Sequence, residues 1–294
     1  PGIRTTVFFK GCNLSCAWCH NPESQNGRIQ RMWYESKCVK CGKCAEVCPE
    51  KAVSFENGEL SLDSTACRLC GKCALFCPVD AISICGREVT VDEIFSEIVK
   101  DKTFYESSGG GVTFSGGECM LHPDVIAELC EKCRSAGINT AIDTAGCVPW
   151  ASFEKVVGLA DIFLYDIKCV TPELSREFIG VENSIILDNY KKLLERGIER
   201  VVISLGERGA LYLRKGSTIY AEGLRVPVGS TVGAGDSVVA ALAYAEAQGL
   251  SEEEAVRLST ATGAANVMCS GTQAAEREAV EALLPKVRFS RLRP

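Results

Sequence analysis

The sequence TTVFFKGCNLSCAWC, residues 5–19, joins a run of β-branched and aromatic residues to three closely spaced cysteines. Such residues favour extended backbone, so Thr5–Phe9 predicts a strand that ends at Lys10 and Gly11. The cysteines follow as Cys12-x3-Cys16-x2-Cys19. Three thiolates on one loop can bind three irons of a [4Fe–4S] cube and leave the fourth iron open for a small molecule. A zinc loop or part of a structural cluster is the alternative.

A second group of cysteines forms an internal repeat. Cys38-x2-Cys41-x2-Cys44-x3-Cys48-Pro49 recurs as Cys67-x2-Cys70-x2-Cys73-x3-Cys77-Pro78. This spacing is typical of bacterial two-cluster ferredoxins, in which the fourth cysteine of each motif ligates the other cluster. It predicts one cluster on Cys38, Cys41, Cys44 and Cys77, and a second on Cys67, Cys70, Cys73 and Cys48. Gly42 and Gly71 let backbone amides approach the sulfides. We expect electron relay, with a zinc ribbon as the weaker alternative.

The other seven of the 18 cysteines have no such spacing: Cys85, Cys119, Cys130, Cys133, Cys147, Cys169 and Cys269. Free cysteine behaves as a small apolar residue, so we expect these side chains to be buried. Cys130 and Cys133 form a CxxC inside a predicted helix, where a redox role is the less favoured interpretation. A disulfide scaffold is also disfavoured, because such scaffolds are usually short secreted chains.

The overall composition is that of an ordinary globular protein of one to three domains, with 294 residues of which 46% are hydrophobic and 24% charged. The net charge of -6 argues against nucleic acid or an anionic membrane as a partner. No apolar run approaches the roughly 20 residues of a spanning helix. We find no signal-peptide pattern, so the cytoplasm is the expected compartment. The chain starts at Pro1, and we expect the natural N-terminus to lie upstream.

From Val91 onward the pattern changes to helices that alternate with strands. Helices are predicted over 91–105, 123–137 and 150–158, and strands over 112–115, 139–144 and 161–168. This alternation predicts βαβ units and a parallel sheet, either open or barrel-like.

A different composition begins near Asn189. Residues 189–206 predict a helix and a buried strand, and residues 210–223 predict the two strands of a hairpin. A glycine-rich turn opens a long helix within 230–249. Ser251 predicts the start of another helix, because acidic residues fill the first turn after it.

Four segments in the first part resemble the activating enzymes of glycyl radical enzymes, which use radical S-adenosylmethionine (SAM) chemistry. They are PGIRTTVFFKGCNLSCAWCHNPES (1–24), SSGGGVTFSGGEC (107–119), AIDTAG (141–146) and LYDIK (164–168). The two-cluster insert resembles the subgroup that activates decarboxylases, dehydratases and C–N lyases. The resemblance implies an α/β fold, with a partial radical SAM (β/α) barrel over 1–30 and 86–187. A ferredoxin-like 2×[4Fe–4S] insert would occupy 31–85.

The resemblance also implies a binding site. Ser115, Gly116, Gly117 and Glu118 would receive the amino group of SAM, because a carboxylate and bare backbone suit an ammonium near a strand end. Asp143, Thr144 and Asp166 match positions that line the SAM and cation site, and Lys168 completes the motif. A solvated strand end is the alternative for each acid.

The activity implied is reductive cleavage of SAM at the open iron, with three [4Fe–4S] clusters in the chain. The resulting 5'-deoxyadenosyl radical would abstract a glycine hydrogen from a partner protein. The implied partners are a glycyl radical enzyme and a flavodoxin- or ferredoxin-type electron donor.

The chain departs from that family in three ways. The family begins one strand earlier, has proline or alanine where Cys119 stands, and continues after about residue 197 with barrel strands that are missing here. From about Asp188 the chain instead resembles the C-terminal part of ribokinase-like sugar kinases. STVGAGDS (230–237) looks most like 1-phosphofructokinase and tagatose-6-phosphate kinase, and VVISLGERGALYL (201–213) matches the strand–turn–strand at their nucleotide site.

The kinase resemblance implies a second set of residues over 188–294. Gly233, Ala234 and Gly235 would form an anion hole at a helix N-terminus, and Asp236 would take the proton of a sugar hydroxyl. Beside the nucleotide would lie Ser204, Gly206 and Gly209. ATP and Mg²⁺ are the implied cofactors, and a simple helix-entry turn is the alternative. The sugar-binding half and the Asn-x-x-Glu magnesium motif are missing.

The two resemblances meet in NYKKLLERGIERVVIS (189–204), where both families have a helix followed by a strand. We interpret the chain as a chimera in which a radical SAM activating enzyme carries a kinase piece as a passenger. One alternative is an ATP-dependent sugar-phosphate kinase with an iron–sulfur appendage, and another is an electron carrier that uses only the insert. The missing strands predict exposed apolar strand faces unless the two parts pack together.

Overall fold

A computed structural model describes residues 2–19, 21–56, 59–196, 200–204, 206–214, 216–231, 233–271 and 273–292. The side chains of Glu56, Arg200, Val201, Ile203 and Ser204 are not described. Secondary structure is mixed α/β throughout, as the sequence pattern predicts. In the described part of the chain, no helix is long and apolar enough to cross a membrane.

The chain opens with strand β1 (Arg4–Phe9), which matches the predicted strand within one residue. The insert follows and is closed at its base by β2 (Gln30–Trp33), which pairs antiparallel with β5 (Ile82–Cys85). Between these two strands lie short helix α1 (Lys43–Glu46), hairpin strands β3 (Val53–Glu56) and β4 (Glu59–Leu62), and short helix α2 (Lys72–Leu75). The two ends of the insert therefore lie side by side where they join the rest of the protein.

The internal repeat of the insert is also a repeat of backbone conformation. Equivalent positions 29 residues apart share a left-handed φ: 55° at both Lys40 and Leu69, and 51° at both Lys51 and Asp80. Gly42 and Gly71 have φ of 77° and 76° and directly precede α1 and α2. Bulky residues rarely adopt such a φ, so each cysteine loop is held in a conformation that its sequence alone disfavours.

The next segment supplies the parallel sheet. It contains α3 (Val91–Lys100), α4 (Lys102–Ser108), β6 (Gly111–Gly116), α5 (Pro123–Ser135), β7 (Asn139–Thr144), α6 (Trp150–Glu154), β8 (Ile162–Tyr165), α7 (Pro172–Phe178) and α8 (Ser184–Glu195). The strand order is β1-β6-β7-β8, and all pairs are parallel. The core between sheet and helices contains fully buried Phe114, Ile142, Phe153 and Leu129.

One predicted helix is two. The continuous helix expected over 91–105 breaks at Asp101, which ends α3 and precedes α4. The Asp101 carboxylate accepts a 2.5 Å hydrogen bond from the Thr5 hydroxyl on β1. This hydrogen bond holds the Asp101 side chain against β1 and so fixes the position of the break. The hydrophobic periodicity of the sequence does not reveal such a contact.

The C-terminal segment forms a separate antiparallel sheet. It contains β9 (Arg200–Ser204), β10 (Gly209–Arg214), β11 (Ser217–Glu222), α9 (Ala234–Ala247), α10 (Glu252–Val267), α11 (Arg277–Leu283) and β12 (Phe289–Leu292), with strand order β12-β11-β10-β9. The predicted β10–β11 hairpin is confirmed. The predicted cap at Ser251 is also confirmed, because its hydroxyl accepts from the Glu254 amide and the Glu254 carboxylate accepts from the Ser251 amide.

The parallel sheet ends at β1 on one side and β8 on the other, as expected for a partial barrel. On β1, Ile3 precedes the strand and is 55% exposed, and Phe8 is 62% exposed. At the other edge, all four residues of β8 are partly buried, and the expectation of exposed apolar strand faces beside the missing strands stays a prediction.

The cysteines outside the motifs divide into two groups. Cys119, Cys130 and Cys133 are fully buried, as predicted. The same prediction is wrong for Cys85, Cys147, Cys169 and Cys269, which are partly exposed because they lie at strand ends and in loops. None of the 18 cysteines, all of which the structure describes, is in a disulfide.

Candidate functional site

The loop Cys12–Cys19, called here the cluster loop, begins where β1 ends. Its far side rests on the end of α7, because the amides of Ser15 and Ala17 donate to the carbonyls of Ile179 (2.8 Å) and Phe178 (2.9 Å). Ile179 is fully buried. The loop is therefore clamped between the carboxyl edge of the sheet and α7. The sequence analysis did not predict this contact between the cluster loop and α7, because nothing near residues 172–180 indicates that they contact residue 15.

The turn Ser115–Glu118, called here the SGGE turn, packs on the root of the cluster loop. The Gly117 amide donates to the Phe9 carbonyl and the Glu118 amide to the Gly11 carbonyl, each at 2.8 Å. A Cβ added to Gly117 would lie 2.2 Å from the Gly11 oxygen. Gly116 has φ of +108°. The two glycines are thus required for the close approach of the two backbones.

Glu118 lies at the centre of this contact with 0% exposure. One carboxylate oxygen accepts from the Met120 amide (3.0 Å) and the Thr144 hydroxyl (2.7 Å), and the other accepts from the Ala145 amide (2.9 Å). Burial raises the pKa of this carboxyl, although these three hydrogen bonds oppose the rise. Glu118 therefore joins the end of β6 to the end of β7 and is itself saturated by protein donors.

The remaining predicted SAM residues lie along the same edge. The Ser115 hydroxyl donates to the Asp143 carboxylate at 2.6 Å. Lys168 forms an ion pair with Asp166. Burial lowers the pKa of Lys168, but Asp166 and then Cys16 outweigh it, so the net shift is upward. The Lys168 ammonium thus lies between the Asp166 carboxylate and Cys16 of the cluster loop.

The thiols of the cluster loop also affect one another. Burial raises the pKa of Cys12, and the charges of Glu118 and Cys19 add to that rise, while the Leu14 amide, which donates to its sulfur at 3.4 Å, opposes it. Burial raises the pKa of Cys16 too, and Lys168 opposes that shift. Ionising several neighbouring thiols without a nearby positive charge is unfavourable. A bound metal cation would reverse this effect and favour the thiolates.

A further group near this loop was not predicted. The Asn13 side-chain amide donates to the Cys147 carbonyl. The buried Asn189 amide donates to the carbonyls of Gly146 (3.0 Å) and Val148 (2.7 Å). Asn13 thereby fixes the loop after β7 against the cluster loop, and Asn189 fixes the same loop against α8.

In the insert, four cysteines line one small cavity. They are Cys48, Cys67, Cys70 and Cys73, the set predicted for the second cluster. Cys48 belongs to the first motif and the other three to the second. Cys48 therefore lies beside three cysteines of the other motif, as the crossed set requires, and the ligand sets stay a prediction.

Backbone amides point at the fourth cysteine of each motif. The Ala52 amide donates to the Cys48 sulfur and the Ala81 amide to the Cys77 sulfur, both at 3.2 Å. At Cys77, burial raises the pKa, but the amides of Val79, Ile82 and Ala81 outweigh it and the net shift is downward. Hydrogen bonds to sulfur favour the thiolate, the form that binds iron.

No three His, Cys, Asp or Glu side chains in the described ranges are arranged to hold a single metal ion. Thiolates that bind separate irons of a cube are further apart than the ligands of one ion. The four cysteines of the cavity and the amide-to-sulfur hydrogen bonds suit an iron–sulfur cluster held by thiolates.

The kinase-like residues lie in two turns. Gly206 begins a short 3-10 turn between β9 and β10, and Gly209 has φ of +101° at the start of β10. Gly233, with φ of +81°, directly precedes α9, so Ala234, Gly235 and Asp236 are its first three residues. The predicted Ser204 side chain lies outside the described side chains.

One residue of each predicted site lies within electrostatic range of the other. Burial raises the pKa of Asp143, and the charges of Asp166 and Asp236 add to the rise, while the hydrogen bond from Ser115 and the Lys168 ammonium oppose it. Asn266 is buried behind the turn before α9, with its side-chain oxygen 3.5 Å from the position of a Cβ at Gly233.

Comparison with known proteins identifies both parts of the chain. The family model of the pfkB carbohydrate kinases matches residues 121–279, more than half of the chain, and that of the 4Fe–4S dicluster domain matches residues 37–81. The trans-4-hydroxy-L-proline dehydratase activating enzyme of Clostridioides difficile is 46% identical over 198 residues, covering 67% of this chain and 66% of that protein. The indoleacetate decarboxylase activating enzyme of Tractidigestivibacter scatoligenes is 40% identical over 213 residues, covering 69% and 67%.

Among solved structures, phosphofructokinase-2 of Escherichia coli is 21% identical, with a TM-score of 0.45, and the match covers 69% of this chain and 63% of that one. The chain spans just under two thirds of the length of the C. difficile enzyme. Because the activating-enzyme and pfkB matches together exceed the chain length, they share residues, and the boundary expected at 188 falls inside the pfkB match. That boundary stays a prediction. By these matches, the chain belongs both to the activating enzymes of glycyl radical enzymes and to the pfkB family of carbohydrate kinases.

Proposed function

We propose that this chain is a radical SAM activating enzyme that reductively cleaves SAM and generates a glycyl radical on a partner enzyme. The observation that carries the proposal is the cluster loop, with three cysteines at the carboxyl edge of a parallel sheet and the SGGE turn packed against its root. The similarity to activating enzymes supports the same reading.

The cluster loop would hold its [4Fe–4S] cluster on Cys12, Cys16 and Cys19. When bound, this group supplies the electron that splits SAM at the open iron. The chain's own residues would then have separable tasks. The SGGE turn would present backbone to the amino group of SAM. Glu118, saturated by Met120, Thr144 and Ala145, would hold that turn in place and add negative potential rather than offer a free oxygen.

Asp143, Asp166 and Lys168 would line the rest of the site. Asp143 is oriented by Ser115 and Lys168 by Asp166. Lys168 would also counter the negative charge of thiolates near Cys16. Thr144 contributes through its hydrogen bond to Glu118.

The insert would hold two further clusters, which makes three in the chain. One would lie on Cys38, Cys41, Cys44 and Cys77, and the other on the cavity-lining set Cys48, Cys67, Cys70 and Cys73. We propose that they relay electrons from a flavodoxin- or ferredoxin-type donor to the cluster loop. Keeping so many thiols reduced suits the cytoplasm.

The test is anaerobic reconstitution followed by assay of 5'-deoxyadenosine formed from SAM with dithionite as reductant. We expect about 12 irons per chain and SAM cleavage that Cys16→Ala abolishes. A yield well below about eight irons, or equal cleavage by Cys16→Ala, contradicts the proposal. Cys269→Ala, which changes a thiol far along the chain from the motifs, is the control.

A sugar-phosphate kinase is the second candidate, favoured by the pfkB match and by the glycine turn before α9. In it, Gly233, Ala234 and Gly235 would form an anion hole for ATP phosphate, with Asp236 as base and Mg²⁺ as counter-ion. Nucleotide contacts would come from Ser204, Gly206 and Gly209. ATP hydrolysis that a phosphosugar stimulates and Asp236→Asn abolishes would support it.

An electron carrier that uses only the insert is the third candidate. It predicts that all clusters are reduced with no turnover of SAM. The reconstitution assay separates it from the activating enzyme, because only the latter forms 5'-deoxyadenosine.

A further inference from the structure

The short helix α2 carries an exposed face of unusual composition. Lys72 and Leu75 of α2 and Phe76, which directly follows the helix and donates its amide to the Lys72 carbonyl, are spaced i, i+3 and i+4, so their side chains lie on one side. Leu75 is 79% exposed and Phe76 is 50% exposed. Two large apolar side chains this open to solvent, next to a lysine, indicate a contact surface rather than a packed core.

The equivalent helix of the repeat keeps the lysine but differs at the two apolar positions. Twenty-nine residues earlier, α1 has Lys43 and Glu46, and Val47 directly follows it. Lys43 and Glu46 form an ion pair at 3.0 Å, and Val47 is only partly exposed. The backbone is repeated, but the apolar surface is present on α2 alone. The fold of the insert therefore does not require Leu75 and Phe76 to be apolar and exposed.

The charge around these helices is opposite to that of the whole chain. Within the equivalent ranges 37–51 and 66–80 the basic residues are Lys37, Lys40, Lys43, Lys51, Arg68 and Lys72, and the acidic residues are Glu46, Glu50 and Asp80. Two of the three acids are engaged, Glu46 with Lys43 and Glu50 with Arg68 at 3.5 Å. In the described part of the chain, Lys40, Lys51 and Lys72 form no ion pair. This basic surface stands in a chain of net charge -6.

The position of the face adds a functional argument. Leu75 and Phe76 lie between Cys73 and Cys77, and these two cysteines belong to different sets of four. Whatever covers this face would therefore lie near both predicted clusters of the insert.

We propose that the α2 face (Lys72, Leu75 and Phe76) is the docking surface for a small acidic one-electron carrier protein. The inference rests on the proposed function, since it names where the electron donor binds. The apolar pair would supply the buried centre of the contact, and the surrounding lysines would attract the acidic partner. One electron would pass from the reduced carrier to the insert, with no bond made or broken.

The experiment measures binding of oxidised flavodoxin, an acidic flavoprotein, to the reconstituted chain by calorimetry. Lys72→Gln and Leu75→Glu are expected to weaken the Kd about tenfold, the scale of losing one contact at the centre of an interface. Lys43→Gln, at the equivalent position of α1, removes the same charge and should change the Kd less than about twofold. Affinity of the unaltered chain should fall as salt rises.

A second readout is the rate at which the visible absorbance of the clusters is bleached. Reduction by flavodoxin hydroquinone should slow in Lys72→Gln and Leu75→Glu, whereas reduction by titanium(III) citrate, which needs no docking, should not. Variants that keep full iron and match the unaltered chain in both measurements overturn the proposal. An equal loss of flavodoxin affinity in Lys43→Gln and Lys72→Gln also overturns the proposal. Such a result would mean that any lysine of the insert attracts the acidic partner equally. Neither readout uses SAM, so a failure of SAM cleavage leaves this test intact.

Discussion

The side-chain ammonium of Lys10 lies 3.1 Å from the amide oxygen of Gln30, the first residue of β2. It also donates to the Glu23 carbonyl at 2.6 Å and reaches the Cys85 sulfur at 3.6 Å. Lys10 stands two residues before Cys12, and Gln30 pairs with Cys85 at the base of the insert. A single side chain thus ties both ends of the insert to the root of the cluster loop.

Replacing Lys10 by methionine should loosen the base of the insert. Three acceptors lose their donor, and a charged hydrogen bond of this kind contributes about 1.5–3 kcal/mol. We expect faster hydrogen exchange at Gln30–Trp33 and Ile82–Cys85 than in the unaltered protein. Lys100→Met, which removes only an exposed ion pair with Glu97, is the matched control and should leave these strands unchanged. Unchanged protection in Lys10→Met would show that the strand pairing alone holds the insert.

Gly117→Ala should disrupt the cluster loop and spare the insert. The added methyl group would lie 2.2 Å from the Gly11 carbonyl oxygen, so one backbone must move. We expect the iron content after reconstitution to fall by about four per chain, the content of one [4Fe–4S] cluster. Gly235→Ala places its methyl group in open space and is the control. Full iron content in Gly117→Ala would mean that the SGGE turn does not support the loop.

Pairs of cysteine substitutions can test the crossed ligand sets of the insert. Cys48 lines a cavity with Cys70, so Cys48→Ala combined with Cys70→Ala should damage a single cluster. Cys48→Ala combined with Cys41→Ala should damage two. Iron analysis should therefore give about eight irons per chain for the first pair and about four for the second. The reverse order would show that each motif binds its own cluster.

The buried Cys133 thiol should make stability depend on pH in the alkaline range. Burial raises its pKa from 9.0 to about 12. The pKa of this thiol in the folded state lies above its pKa in the unfolded chain. The stability that the buried neutral thiol contributes is therefore fully present below pH 9 and is lost as the pH rises toward 12. Cys133→Ala removes the titrating group, so the free energy of unfolding should fall less steeply with pH, by up to about 1.4 kcal/mol per pH unit.

Urea unfolding between pH 8 and 11 measures this difference. Leu129→Ala, also fully buried in the same core, is the control, because its cost in stability has no titrating component. Parallel curves for the unaltered protein and Cys133→Ala would contradict the assignment.

The sequence predicted what depends on local pattern. The spacing of Cys38–Cys48 and Cys67–Cys77 indicated a repeat, and the structure repeats it down to φ at Lys40 and Leu69. The β-branched runs gave β1, β6 and β7 nearly residue for residue. Both family resemblances were confirmed by comparison.

What failed or was missed depends on contacts between distant residues. The pairing of Gln30 with Cys85, the contact of Ser15 with Ile179 and the break at Asp101 are set by partners that lie far away in sequence. Cys85 illustrates the point. As a free cysteine it was expected to be buried, but its place on a two-stranded ribbon leaves it partly exposed.

The most direct test of the account is the electron paramagnetic resonance spectrum of the reduced, reconstituted chain before and after addition of SAM. The account predicts that SAM changes the signal of the cluster on Cys12, Cys16 and Cys19, and that Cys16→Ala shows no such change. A fully loaded chain whose spectrum is the same with and without SAM would mean that no iron is open to SAM, and would contradict the central claim.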